Sequence, residues 1–285
     1  MNTIRVIKEI IEPQFVIEGA GVLLRRSISP HVSNRFDPFL LFDHFAFNDP
    51  VEGPIRGFPM HPHRGIETVT YILKGSVNHR DSLGNAGLIG PGDIQWMTAG
   101  GGILHEEMPR RGPDGSIDGF QLWVNLPAAQ KMIRPRYQGV TSADIPTSKG
   151  RGWQARVVAG EVGGVAGPVT EIAADPLYLE VNMENAAKFN LTIPEKHTAL
   201  IYIFDGKAIF GEQEVAAVKL VVLDKGEQIE IRTADTPARF MLMAGAPIGE
   251  PIVPYGPFVM NTREEIQQAL TDLRNGTFVQ TGYPV

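Results

Sequence analysis

His61 and His63 flank a proline in the run FPMHPHRGIE (58–67), and His105, Glu106 and Glu107 follow one another in ILHEEMP (103–109). On an extended strand, residues i and i+2 project from one face, about 6–7 Å apart. The first run therefore sets two imidazoles side by side, with Pro62 turned away. Proline donates no ladder hydrogen bond, which places this strand at a sheet edge or near its start. Two inward imidazoles make a poor core, because each buried ring nitrogen needs a partner. A metal ion satisfies both at once. If the second run is extended too, His105 and Glu107 share a face and Glu106 points the other way. Two such pairs on neighbouring strands give a set of His61, His63, His105 and Glu107, which leaves one or two positions open on a five- or six-coordinate ion. Open positions among nitrogen and oxygen donors are what oxygen-activating non-haem metals require. An H-x-H pair alone is more often a surface accident; the H-x-E pair turns it into a candidate site.

The other histidines carry less. His79, in VNHRD (77–81), lies in a polar stretch and reads as a solvated strand residue. His31 follows Pro30 in a loop, and His44 beside Asp43 reads as a surface or hydrogen-bonded residue. Beyond residue 105 the only histidine is His197, so the second half of the chain cannot assemble a three-histidine site.

Short strands must position these residues. TVTYIL (68–73) is β-branched and aromatic, QLWVNL (121–126) alternates polar with apolar, and LGNA (83–86) and GPGD (90–93) are turn candidates. Strands at roughly 8–12-residue spacing with turns between them point to sandwiches or barrels. The second half repeats the first: YILKG (71–75) is echoed by YIFDG (202–206), and PGD (91–93) by KGE (225–227). This echo predicts a duplicated β-barrel. The Gly-, Ser-, Thr- and Pro-containing stretch 137–152 is the linker candidate, which sets the expected domains at 1–137 and 138–285. Near the end, Thr262 and Glu265 form a capping box, Ile266, Ala269, Leu270 and Leu273 recur at helical spacing, and Asn275-Gly276 supplies the stop. That helix is expected to cover the outside of a barrel.

Composition narrows the chemistry. The 285 residues include no cysteine, so any metal must be held by nitrogen and oxygen. A net charge of −6 disfavours phosphate-backbone binding. No stretch reaches the roughly 18–20 apolar residues that span a bilayer, and the expected location is the cytoplasm.

HPHRGIETVTYILKG (61–75) resembles the first cupin motif, and the longer run through IGPGDIQWMTAGGGILHEEMP (89–109) resembles the pirin family in particular. QLWVNLP (121–127) and YGPFVMNTREEI (255–266) extend the likeness, in order, over nearly the whole chain. The resemblance implies an all-β bicupin: two tandem cupin barrels with a short C-terminal helix and metal only in the N-terminal one. It implies the ligands His61, His63, His105 and Glu107. The general cupin pattern would make Glu67 a ligand, but here the last histidine arrives late, after AGGG (99–102), and Glu67 is expected to be a hydrogen-bonded neighbour. The family's metal is usually iron; manganese, cobalt, nickel, copper and zinc are also accepted, with one divalent ion per chain.

Two functions follow from the resemblance. Several members, mainly prokaryotic, are quercetin 2,3-dioxygenases, which open a flavonol's central ring with O2 and release carbon monoxide. On that reading the partners are a small aromatic substrate and O2, and Glu107, the only carboxylate of the set, is the catalytic base. The alternative is an iron-dependent redox-sensing regulator that binds a transcription factor or metabolic enzyme; the isolated Arg25-Arg26 and Arg110-Arg111 pairs give no support for nuclear import. Trp96, Met97, Phe58 and Trp123 are candidate pocket residues, although each type is more often plain core. A monomer is expected, since the duplication already pairs two barrels.

Overall fold

The computed structural model describes residues 3–47 and 57–280. Strands dominate, and among the described residues the one α-helix is Arg263–Asn275. The chain divides into two compact units: Gln14–Ser142 with Ile248–Val285, here the histidine unit, and Met1–Pro13 with Ala143–Pro247, the apolar unit.

This division differs from one cut after residue 137. The middle crossing lies inside the expected linker, but that stretch is largely ordered: Arg136–Val140 pairs with Ile94–Thr98, and Thr147–Gly150 pairs with Trp153–Ala159. The two ends of the chain are also exchanged. Strand Ile7–Ile11 pairs with Lys219–Leu223 in the apolar unit, whereas the C-terminal hairpin and helix belong to the histidine unit. An open sheet edge is a row of unpaired donors and acceptors, and a distant segment can satisfy it as well as a near one.

The histidine unit is built from two sheets. Seven strands run in the order 136–140, 94–98, 66–74, 117–125, 39–47, 22–28, 14–18; four run in the order 58–63, 103–110, 76–81, 86–89. The LGNA turn closes the hairpin between Ser76–Asp81 and Ala86–Ile89. There Asp81 Oδ1 accepts from the backbone N–H of Leu83 and Asn85, an Asx-type turn.

The apolar unit shows the same strand grammar with a different filling. Along Leu177–Met183, alternate residues Leu177, Leu179, Val181 and Met183 enter a core shared with Phe189, Ile201 and Phe240. The repeat seen in the sequence has a backbone counterpart, since Gly75 (φ 71°) and Gly206 (φ 73°) both turn through the left-handed region, where a Cβ is strained.

The helix is capped as its sequence predicts. Thr262 Oγ1 accepts from Glu265 N, Glu265 Oε2 accepts from Thr262 N, and Gly276 closes the end at φ 71°. Ile266 and Ala269 are buried against Phe258, Met260 and Phe278, whereas Leu273, at the far edge of the stripe, is exposed.

Candidate metal centre

Strands Phe58–His63 and Ile103–Arg110 pair antiparallel with His61 opposite His105 and His63 opposite Ile103. Cross-strand neighbours share a face, so this register gathers three imidazoles: His61 and His63 by their i, i+2 spacing, His105 across the ladder. A register shift between the His105 and Glu107 pairings sets Glu107 opposite Phe58. Burial alternates along Ile103, His105 and Glu107, and Glu106 turns outward to Arg80 Nε at 3.1 Å.

The three ring nitrogens converge. His61 Nε2 lies 3.1 Å from His63 Nε2 and 2.9 Å from His105 Nε2. His61 Nδ1 donates to Pro59 O at 2.9 Å and His63 Nδ1 to Pro257 O at 3.3 Å, which leaves lone pairs on both Nε2 atoms. Two lone pairs facing one another at this distance repel unless a proton or cation stands between them. Burial, and after it the neighbouring imidazoles, holds His63 and His105 well below the ordinary histidine range, so both rings are neutral and ready to donate to a metal. Nitrogens about 2.0–2.1 Å from a common ion, at right angles, lie about 2.9 Å apart. The residues fit a metal ion, and among the described residues this is the group of histidine and acidic side chains close enough to hold one.

Glu107 stands beside this trio but outside its tight cluster. Thr70 Oγ1 donates to its Oε1 at 2.8 Å and Gln121 Nε2 to its Oε2 at 2.9 Å, so the opposing sheet orients a buried carboxylate. Each oxygen retains a further acceptor site. Glu67 is tied elsewhere, accepting from Thr98 Oγ1 at 2.7 Å.

A cavity of about 390 Å³ opens beside His61 and His63. Leu24, Leu41, Phe58, Trp123 and Pro254 contribute its apolar walls; Arg26, gripping Asp43 through Nε and Nη2 and Glu18 through Nη1, forms a charged side. A smaller void shares Leu24, Asp43, Phe58 and Gln121 with it and reaches Thr70 and Glu107. Of the four candidate pocket residues, Phe58 and Trp123 line this cavity, with the Trp123 ring 5.2 Å from His63. Trp96 and Met97 do not line it; both are fully buried, and Met97 packs in a core cluster with Ile66 and Ile103.

His79 corrects its expectation. It is buried, its Nε2 donates to Asp81 Oδ2 at 3.3 Å, its Nδ1 accepts from Gln95 at 2.9 Å, and its ring centre lies 5.4 Å from that of His105. The polar stretch misled because Val77, His79 and Asp81 alternate inward while Asn78 and Arg80 turn out; that period-2 pattern was the available signal. His44 is hydrogen-bonded, Nε2 to Asp118 Oδ1 at 2.8 Å, and His31 lies at the cavity. His197, in the apolar unit, faces Asp175 at 3.8 Å.

Sequence reasoning missed Arg64 and Lys131. Arg64, 1% exposed, donates through Nη1 to Asp272 Oδ2 at 2.7 Å. Lys131 Nζ spends its three donors on Gly65 O, Asn125 Oδ1 and Val259 O, each at 2.8 Å; burial pushes it down to about 8.

Fold and site together define a bicupin with one candidate metal centre. A Pirin family model matches residues 21–124 and a pirin C-terminal cupin domain model residues 178–279. A pirin-like protein of Caulobacter vibrioides is 42% identical over 277 residues, 96% of this chain and 99% of that protein. Human pirin is 42% identical over 264 residues, 90% of this chain and 88% of its own. A crystal structure described as quercetin 2,3-dioxygenase from Acinetobacter baumannii superposes with a TM-score of 0.88 at 33% identity, covering 97% of this chain and 99% of that one. The chain belongs to the pirin family. Among the described residues no helix is long and apolar enough to cross a membrane.

Proposed function

We propose that this chain is a metal-dependent dioxygenase that opens the central ring of a flavonol, or a related hydroxylated aromatic, with O2. The observation that carries the reading is the convergence of three imidazoles beside a largely apolar cavity of about 390 Å³. His61, His63 and His105 hold one divalent ion, with Glu107 as the fourth donor; iron is the favoured metal. Bound there, the ion supplies Lewis acidity and redox chemistry toward O2. Phe58 and Trp123 orient the aromatic ring, and the apolar walls keep bulk water from the reaction. Glu107, held by Thr70 and Gln121, accepts the proton of the reacting hydroxyl group. O2 is the sole oxidant: both its atoms enter the opened product, one ring carbon leaves as carbon monoxide, and the proton returns from Glu107 to the product.

The test loads the protein with Fe(II), and separately with Mn, Co, Ni and Cu, and follows O2 uptake and carbon monoxide release with quercetin. Metal-dependent turnover that is absent in His61→Ala is the expected result. Stoichiometric metal binding without uptake for any ion leaves the site and sinks the flavonol reading. The regulator alternative, a protein partner engaged without turnover, then leads.

A further inference from the structure

The three imidazoles are not held in the same way. His61 Nδ1 bonds to Pro59 O within its own strand. His105 Nδ1 is buried with no hydrogen-bond partner among the described residues. His63 alone is aimed from far along the chain, its Nδ1 bonding to Pro257 O, 194 positions away.

Pro257 sits in the hairpin of strands Val253–Tyr255 and Phe258–Met260, and that hairpin is stitched to the turn after His63. Val259 N donates to Arg64 O at 3.1 Å, and Lys131 Nζ bridges Gly65 O and Val259 O. Gly65, at φ 80°, lies so close that a Cβ there would collide with Val259 O. The Arg64 side chain then leaves the site and locks the helix behind the hairpin. Nη1 meets Asp272 Oδ2, Nη2 donates to Phe278 O at 3.3 Å, and the guanidinium carbon stands 4.4 Å from the centre of the Phe278 ring. Burial raises the Asp272 carboxyl, and hydrogen bonds from Arg64 and Gln268 outweigh it and hold the group below its ordinary range.

A buried guanidinium is expensive to desolvate, and an apolar residue can pack as well. Helix anchoring alone does not require an arginine next to a ligand. We infer that Arg64 is a positioning residue for His63: its lock on Asp272 and Phe278 fixes the C-terminal hairpin, and the hairpin carbonyl of Pro257 fixes the His63 ring and its tautomer. Outer partners of metal-bound histidines act in this way, and their loss typically weakens metal binding about 10–100-fold.

This inference rests on the proposed metal centre, and its test separates the two. Full-length wild type, Asp272→Ala, Asp272→Glu and Arg64→Lys are stripped of metal and checked for folding by circular dichroism and thermal melting. Each is then titrated with Co(II) against a chromogenic chelator while its visible ligand-field spectrum is recorded. Asp272→Ala and Arg64→Lys should bind Co(II) about 10–100-fold more weakly than wild type with an altered spectrum, and Asp272→Glu should recover most of both. A folded Asp272→Ala or Arg64→Lys protein with wild-type affinity and spectrum, whatever its melting temperature, overturns the inference and leaves the metal centre standing. If wild type itself binds no Co(II), the metal-centre reading falls and takes this one with it.

Discussion

The two units solve the same packing problem with opposite materials. In the apolar unit, inward positions are Leu, Val, Ile and Phe, as along Leu177–Met183 and around Phe189 and Phe240. In the histidine unit, strands of the same kind turn His61, His63, His105, Glu107, Thr70, Gln121, His79 and Gln95 inward. Thr70 and Gln121 donate to Glu107, and Gln95 to His79, across the gap between the sheets, while the three imidazoles of the candidate metal centre turn ring nitrogens toward one another. Buried polar groups are stabilising only when fully partnered. A duplicated fold can therefore keep one copy as a packed body and give the other a chemical interior, provided every inward polar group has an answer.

The largest effect that tests this contrast is on chemistry. Glu107→Gln keeps the size of the side chain but exchanges one accepting oxygen for a donating amide and removes its basicity. Turnover should fall about 10²–10⁴-fold while metal content, read by elemental analysis, stays near that of wild type; equal losses of both would remove the base assignment.

Phe189→Ala should do the reverse. Deleting this fully buried ring should cost about 3–5 kcal/mol of unfolding free energy, with the metal content of the folded fraction unchanged. Metal loss from a folded Phe189→Ala protein would show that the apolar unit is no passive body.

Lys131 sharpens the contrast within the histidine unit, because its ammonium does the work of a core residue by hydrogen bonding. Lys131→Met leaves Gly65 O, Asn125 Oδ1 and Val259 O without their shared donor and should destabilise on the order of 3 kcal/mol. The pH dependence has a definite sign. Burial lowers Lys131 from 10.5 to about 8, so between these values the unfolded chain holds a proton that the folded chain has released. The group's contribution therefore rises with pH through this window. The gap between wild type and Lys131→Met in chemical denaturation should widen from pH 8 to pH 10; a gap that narrows would contradict the depressed value.

What could be read from the sequence was local. The H-x-H and H-x-E pairs, the capping box and the LGNA turn declare themselves within a few residues, because the strand period of two and helix capping are short-range rules. The placing of Glu106 outward and Glu107 inward follows from the same period. Arg64 and Lys131 could not be found in this way, since their partners Asp272 and Val259 lie 208 and 128 positions away. His79 looked solvated because polar residues surround it in sequence; its neighbours in space are His105, Gln95 and Tyr137. The exchange of chain ends was hidden for a related reason, because an open sheet edge specifies that some strand must pair with it but not which one.

That exchange also has a consequence in time. The strands bearing His61, His63 and His105 leave the ribosome early, yet the Pro257 carbonyl, Asp272 and Phe278 that secure them follow only after the residues of the apolar unit, 143–247. At about 5–20 residues per second, the 152 positions from His105 to Pro257 leave the nascent histidine strands waiting about 8–30 seconds with one imidazole unaimed. Metal loading is therefore expected to be a late event of biosynthesis, completed only once the C-terminal hairpin has been made.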